Sequence, residues 1–386
     1  MNHEDKTAQG PGLNDATERN GVNDHSAVNG NNSPDNIIGT VICGYTVQSL
    51  LSDVTGEARI YKASKNYETF VVKYYKQNYS PKEDILKKIQ NLDHPDIIKL
   101  YEYGHHNGRF FEVMEYAEGG TLGERDGNGK FKYLPLSEES VVKLISETVN
   151  AFKYLHEKGI THRDIKPANL FFRNTDCLDI VIGDFGISSL IDVEGGLSWH
   201  ITSNRARTDG YAAPENYASG FQDGKETITI AIKMDYYSLG ITIYELLTGT
   251  DFIKGREMSN FVQDTIYGRI YQDFLSRPEA ADFTPRIKRL LQGLLTVIPE
   301  KRWGYDEVTD WLKGKDVPVY EGVQVLQFPT LKFGGKTLNT IDEIVAAIDS
   351  NREEGKKSLH HADLEKWAAK FDEKIGTEIT NIRELD

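Results

Sequence analysis

The stretch Ile160-Thr161-His162-Arg163-Asp164-Ile165-Lys166-Pro167-Ala168-Asn169, followed by Gly183-Asp184-Phe185-Gly186, decides how this chain is read. A carboxylate able to orient a hydroxyl (Asp164) stands beside a cation (Lys166), an amide able to hold a metal (Asn169) and a second metal-binding carboxylate (Asp184). Phosphoryl transfer from ATP needs this set. Its loose, metaphosphate-like transition state leaves the protein mainly to position groups and neutralise charge.

By His162 to Asn169 and Asp184-Phe185-Gly186 the chain resembles the eukaryotic-type protein kinases. The resemblance implies an α+β, two-lobed protein kinase fold, with a small β-rich N-lobe carrying one main helix and a larger, mostly helical C-lobe. It implies ATP with Mg2+, or Mn2+ in its place, and protein substrates with serine or threonine acceptors, since serine/threonine kinases carry a lysine at the position of Lys166. Asp164 is then the candidate base, Lys166 and Thr208 its companions, and Asn169 and Asp184 the metal ligands.

Further matches extend the resemblance over roughly residues 45 to 315. Val71-Val72-Lys73 matches the V-A-I-K strand, which makes Lys73 the contact to the α- and β-phosphates. The segment Phe111 to Gly120 resembles the hinge. Met114 is its gatekeeper, the backbones of Glu115 and Ala117 meet the adenine edge, and Ile60, Val71 and Phe171 enclose the adenine faces. His162, Phe185, Ile89 and Leu100 match the apolar column that links the lobes, so His162 is a packing residue. The activation loop runs from Asp184 to Glu215 and ends Thr208-Asp209-Gly210-Tyr211-Ala212-Ala213-Pro214-Glu215. Arg163 implies activation by a phosphate on that loop, with Thr202 or Ser203 ahead of Ser198, and hence autophosphorylation. Glu215 should pair with Arg302, and Asp235 should hold the catalytic-loop backbone.

Two departures stand out. The phosphate-covering loop, Asp53 to Ile60, keeps a single glycine, Gly56, out of register, and Asp53 and Glu57 would add like charge near phosphate. The helix position that gives the family's lysine its glutamate partner is here Ile85. The nearest acids are Glu83 and Asp84: either a local shift of the helix start lets one of them reach Lys73, with Glu83 ahead of Asp84, or Lys73 relies on Asp184 and the phosphates alone.

Composition bounds the rest. The 386 residues carry a formal charge of −14, which argues against nucleic acid as a partner. Cys43 and Cys177 fit two free thiols in a reducing cytoplasm. No signal-like or membrane-spanning apolar run occurs: Ile228 to Leu247 carries Lys233, Asp235 and Glu245 and reads as a buried helix. Met1-Asn2 lacks the glycine that N-myristoylation requires.

Residues 1–38, poor in aromatic and β-branched residues, read as a disordered tail. The kinase domain is placed at 39–315, with the N-lobe to 116. Strands are expected at Tyr45 to Leu51, Ala58 to Ala63 and Phe70 to Tyr75, then a helix through Ile85 and Ile89, then a hairpin at Asn107-Gly108. Helices are expected over 138–158, 231–247, 285–295 and 305–313. In 316–386, Val317 to Phe333 is rich in β formers. A capping box, Thr340-Ile341-Asp342-Glu343, and a second stripe (Leu364, Trp367, Ala368, Phe371) mark amphipathic helices that pack internally or meet a partner. Such an appendage, with Phe333-Gly334-Gly335, is similar to tails of some bacterial members. A pseudokinase scaffold and a small-molecule phosphotransferase of the same fold are the alternative functions. Lys73, Asp164, Asn169 and Asp184 weigh against the first, and Lys166 with Ala213-Pro214-Glu215 against the second.

Overall fold

A computed structural model of the chain describes residues 36–53, 57–126, 130–132, 135–177, 179–186, 188–190, 199–202, 207–217, 219–222, 225–253, 256–322, 331–333, 336–338, 346–348, 350–353, 355 and 357. The architecture is α+β in two lobes. The first is a six-stranded antiparallel sheet formed by β1 (Val41–Ile42), β2 (Tyr45–Ser52), β3 (Ala58–Lys65), β4 (Glu68–Tyr75), β5 (Leu100–His106) and β6 (Arg109–Glu115), in the order β1-β2-β3-β4-β6-β5. Asn107 and Gly108 both take positive φ, 51° and 74°, which is what a two-residue turn matched to strand twist demands of the β5–β6 hairpin.

The small lobe has one helix, α1 (Glu83–Gln90), with acids in its first turn and lysines in its last, each sign complementing the helix dipole. Its buried row is Ile85, Leu86 and Ile89. The other sheet face closes over Tyr45, Val47, Tyr61, Val72, Tyr74, Phe111 and Val113. Ile37 joins that cluster at 3% exposure, so packing begins two residues before the expected domain start.

The second lobe is built on α2 (Glu138–Glu157). Ser137 caps it by accepting from Ser140 N–H, and Val141, Leu144, Ile145, Val149, Phe152 and Leu155 form its buried stripe. The short strands β7 (Gly120–Thr121), β8 (Ile160–Thr161), β9 (Leu170–Phe172), β10 (Ile180–Ile182) and β11 (Ser189–Leu190) frame the loops that carry the chemistry. Ile98 N–H donates to Ile182 O and Ile182 N–H to Asp96 O, tying the lobes together by backbone bonds.

Next come β12 (Trp199–Thr202), β13 (Ser219–Gln222) and β14 (Lys225–Ala231), which pair in one sheet, and then α3 (Met234–Thr248). A helix from Ile228 is therefore corrected: Thr227 to Ala231 is strand, and α3 starts at Met234. Alternating β-branched residues favour the pleat there, and Asp223-Gly224 is the hairpin signal that betrays it. Helix α3 is buried all round, as a central core helix must be, and it ends at Gly249 with φ of 68°.

Helices α4 (Met258–Ile266), α5 (Ile270–Ser276), α6 (Pro285–Leu294) and α7 (Tyr305–Leu312) complete the lobe. Thr284 caps α6, and Pro285 takes the first helical position, where its missing N–H is not needed. Beyond the lobe, Arg289 and Trp303 donate to the carbonyls of Val317 and Pro318. The hairpin β15 (Leu331–Phe333) and β16 (Lys336–Leu338) joins β13 in parallel at Phe221↔Leu331. Of the expected tail helices, 346–348, 350, 352–353, 355 and 357 are helical; the capping box and the Leu364 stripe lie outside the described residues.

Candidate active site

The loop between β8 and β9 is held from below by Asp235 of α3. Its carboxylate accepts from His162 N–H at 2.9 Å and Arg163 N–H at 2.7 Å, with His156 Nε2 at 2.8 Å. Burial pushes the Asp235 carboxyl up, but these hydrogen bonds and the two histidines bring it below the usual aspartate value. The loop is thereby forced into a conformation it would not otherwise keep. On that loop Arg163 is a non-glycine residue with a left-handed φ of 70°, and beyond β10 Asp184 has one of 58°; such strain persists only where surrounding structure over-determines it.

Asp164 is the centre of a closed polar network. Thr208 Oγ1 donates to its Oδ1 at 2.5 Å, and Lys166 Nζ to its Oδ2 at 2.8 Å. Lys166 Nζ also donates to Thr208 Oγ1 at 2.8 Å, closing a triangle. Asn169 Nδ2 donates to the backbone oxygen and Oδ2 of Asp164, both at 2.8 Å, which leaves its Oδ1 as the acceptor face. The structure brings together Asp164, Lys166, Asn169 and Thr208, as the sequence leads one to expect.

Lys73 on β4 reaches across the cleft to Asp184, Nζ to Oδ1 at 2.6 Å. Burial alone would raise the Asp184 carboxyl; the Lys73 ammonium outweighs it and brings the group down to about 2. Gly183 precedes it because a Cβ there would lie 3.0 Å from Ile98 and Phe171. His162 is buried, its ring 4.7 Å from that of Phe185 and its Nε2 3.0 Å from Gly183 O; Ile89 and Leu100 are buried in the same core. This is the packing column expected of them.

Ile60, Val71, Met114 and Phe171 are half-buried along the cleft, and Ala117 is buried with Ile98 and Val181. Val71 faces Met114 across the β4–β6 ladder. Glu115 N–H donates to Lys99 O, so its carbonyl is what this residue can offer an adenine edge. Gly56 lies outside the described residues. Asp53 forms an ion pair with Arg59 at 2.9 Å, which offsets the like charge feared near the phosphates.

The helix expectation is corrected. Ile85 is buried at 4% exposure, while Glu83 and Asp84 are exposed, because the register that turns Ile85 and Ile89 inward leaves the start of α1 in solvent. Lys73 has its ion pair with Asp184. The residue that sequence reasoning missed is Glu112. It is buried at 7% exposure and lies directly opposite Lys73 in the β4–β6 register. A lone acid inside the apolar run of Phe110 to Met114 was its signal.

Structural pairs complete the site. Arg302 grips Glu215 with two bonds, at 2.7 and 2.9 Å, both side chains buried. Arg163 Nη1 donates to Ser189 Oγ at 2.8 Å. Of the suspected phosphosites, Thr202 falls in β12, where its backbone pairs with Ile228, and Ser198 and Ser203 lie outside the described residues.

Two lobes, a lysine–aspartate pair across the cleft and an aspartate clamped by lysine, asparagine and threonine define a phosphotransfer class of protein. The protein kinase domain family matches residues 54–311, and the chain belongs to that family. It is 27% identical over 293 residues to the ovarian-specific serine/threonine-protein kinase Lok of Drosophila melanogaster, covering 72% of this chain and 58% of that one. Serine/threonine-protein kinase SRK2C of Arabidopsis thaliana is 28% identical over 313 residues, 79% of this chain and 84% of that protein. The calcium/calmodulin-dependent protein kinase cmkA of Emericella nidulans is 31% identical over 237 residues, covering 60% and 52%. The chain thus spans less than two thirds of two of these three relatives.

Proposed function

We propose that this chain is an ATP-dependent serine/threonine protein kinase, with its kinase domain at residues 39–315. The observation that carries the reading is the Asp164–Lys166–Thr208 triangle, which sets a carboxylate, a cation and a substrate-side hydroxyl within hydrogen-bond reach of one another. Asp164 is placed to orient and accept the proton of an acceptor hydroxyl, and Lys166 to neutralise charge that develops beside it. Thr208 fixes both.

Asn169 Oδ1 and the Asp184 carboxylate are hard oxygen donors of the kind Mg2+ accepts alongside waters and phosphate oxygens. Among the described residues no three acidic, histidine or cysteine side chains gather into a metal cage, and an ion that keeps several waters needs none. When bound, the metal supplies charge neutralisation on the phosphates; Lys73 positions them, and the half-buried cleft of Ile60, Val71, Met114 and Phe171 excludes water from the adenine.

Autophosphorylation of the activation loop belongs to the same reading. Burial, then the Arg163 guanidinium, pull the Lys82 ammonium below its ordinary value, as expected of two cations that feel each other, and a loop phosphate is the anion that would relieve both. No helix of the described residues is long and apolar enough to cross a membrane, and a cytoplasmic location with protein substrates is part of the proposal. Incubating the chain with labelled ATP, magnesium and a generic protein substrate tests it. Label transferred to serine and threonine, and lost in Asp164→Asn, is expected; no transfer by the wild-type chain overturns it.

A further inference from the structure

Lys73, Tyr75 and Glu112 share one face of the small-lobe sheet. Lys73 and Glu112 are direct cross-strand partners, and partners on an antiparallel pair point the same way, with Cβ atoms about 5 Å apart. Tyr75 follows two residues after Lys73, so it too lies on that face. Its phenol donates to Glu112 Oε1 at 2.5 Å, and Lys73 Nζ lies 5.4 Å from the centre of its ring. All three are buried, at 7%, 3% and 7% exposure for Lys73, Tyr75 and Glu112, and the same lobe carries an isoleucine, Ile85, where α1 turns inward.

A buried carboxylate is costly unless a cation and hydrogen bonds compensate it. One phenol satisfies one oxygen of Glu112, and the residue shares its sheet face with Lys73, whose ammonium lies 2.6 Å from Asp184 Oδ1. A carboxylate shared between a metal and a lysine, as Asp184 is in the proposed function, neutralises each less than fully, so a second acid facing Lys73 has a charge to meet. Burial raises the Glu112 carboxyl and Lys73 acts against that rise, as expected of groups that feel each other.

We propose that Glu112, braced by Tyr75, is the positioning residue that holds Lys73 in the cleft in place of a carboxylate on α1. The inference rests on the kinase function proposed above. The sheet, being rigidly hydrogen-bonded to β4, then fixes the lysine independently of where α1 sits.

The test uses the full chain and begins with wild-type activity, whose absence would remove the kinase reading itself. Glu112→Gln keeps the shape and the acceptor for Tyr75 but removes the charge. Expected are a kcat at least tenfold lower, about 1.4 kcal/mol of transition-state stabilisation, and a Kd for a non-hydrolysable ATP analogue with magnesium raised at least threefold by calorimetry. A role confined to bracing Tyr75 would move neither. The second variant restores an acid to the helix: Ile85→Glu with Glu112→Leu should be at least fivefold more active than Glu112→Leu alone. An active wild type with Glu112→Gln within twofold of it in both kcat and Kd overturns the inference and leaves the kinase function standing. If Glu112→Gln does not fold, the helix rescue decides alone, and no gain from Ile85→Glu overturns the inference.

Discussion

Tyr211 donates its phenol proton to Glu245 Oε2 at 2.5 Å, joining the end of the activation segment to the buried helix α3. Phe252 N–H takes the other oxygen at 2.8 Å. Burial nevertheless dominates and raises the Glu245 carboxyl from 4.5 to about 7. Below the unfolded value both states hold the proton. Between roughly pH 4.5 and 7 only the folded state does, so stability falls as pH rises through this window, by about 3 kcal/mol in all. The melting temperature should decline from pH 5 to 7.5, and Glu245→Gln should flatten that decline. Equal slopes in the two proteins would rule this assignment out.

Asp184→Asn should abolish phosphotransfer, because an amide neither carries charge to a metal nor neutralises Lys73. It should also soften the fold. Lys73 is nearly buried, so loss of its partner costs about 1 to 2 kcal/mol, less than a fully buried pair because Asp184 keeps 39% side-chain exposure. Activity assays and urea unfolding measure the two effects, and near-normal turnover with magnesium would show the metal site to be misassigned.

Arg302 is fully enclosed, and besides Glu215 it donates to the carbonyls of Thr296, Val297 and Lys233. Arg302→Met leaves Glu215 as an uncompensated buried charge and should destabilise the chain by about 3 to 5 kcal/mol. The double variant Arg302→Met with Glu215→Leu should recover part of that loss. A double variant no more stable than the single one would mean that the carbonyl bonds, not the ion pair, hold this corner.

Mass spectrometry of the chain after incubation with ATP should find phosphate on Thr202 or Ser203. Lys82→Ala should then reduce the gain in activity that accompanies it severalfold, since a phosphate docked near two cations loses one of them. Full activity with Ser188 to Ser203 unmodified would refute activation by this route.

Much of the site was legible because its chemistry is local in sequence. Asp164, Lys166 and Asn169 sit on one loop whose short hydrogen bonds follow from their spacing, and Asp184 is fixed by its neighbours Gly183 and Phe185. The amphipathic stripes of α1, α2 and α6 and the Asn107-Gly108 turn were equally plain, since period and turn chemistry are properties of a few adjacent residues. The β13–β14 hairpin was obscured by the apolar run that continues into α3, where one stretch of sequence serves two periods.

What the sequence by itself determined is the inventory: which groups can orient a hydroxyl, hold a metal or cap a helix, and which lobe each belongs to. The tertiary structure decided who partners whom. Strand register brought Glu112 to Lys73, 39 positions away along the chain, and chain reversal brought Thr208 to Asp164, 44 positions away. Burial then set the charges, lifting Glu245 and letting Lys73 hold Asp184 low. Pairings of this kind depend on where the chain returns and on how much water is left beside a group, and neither quantity exists until the two lobes have packed.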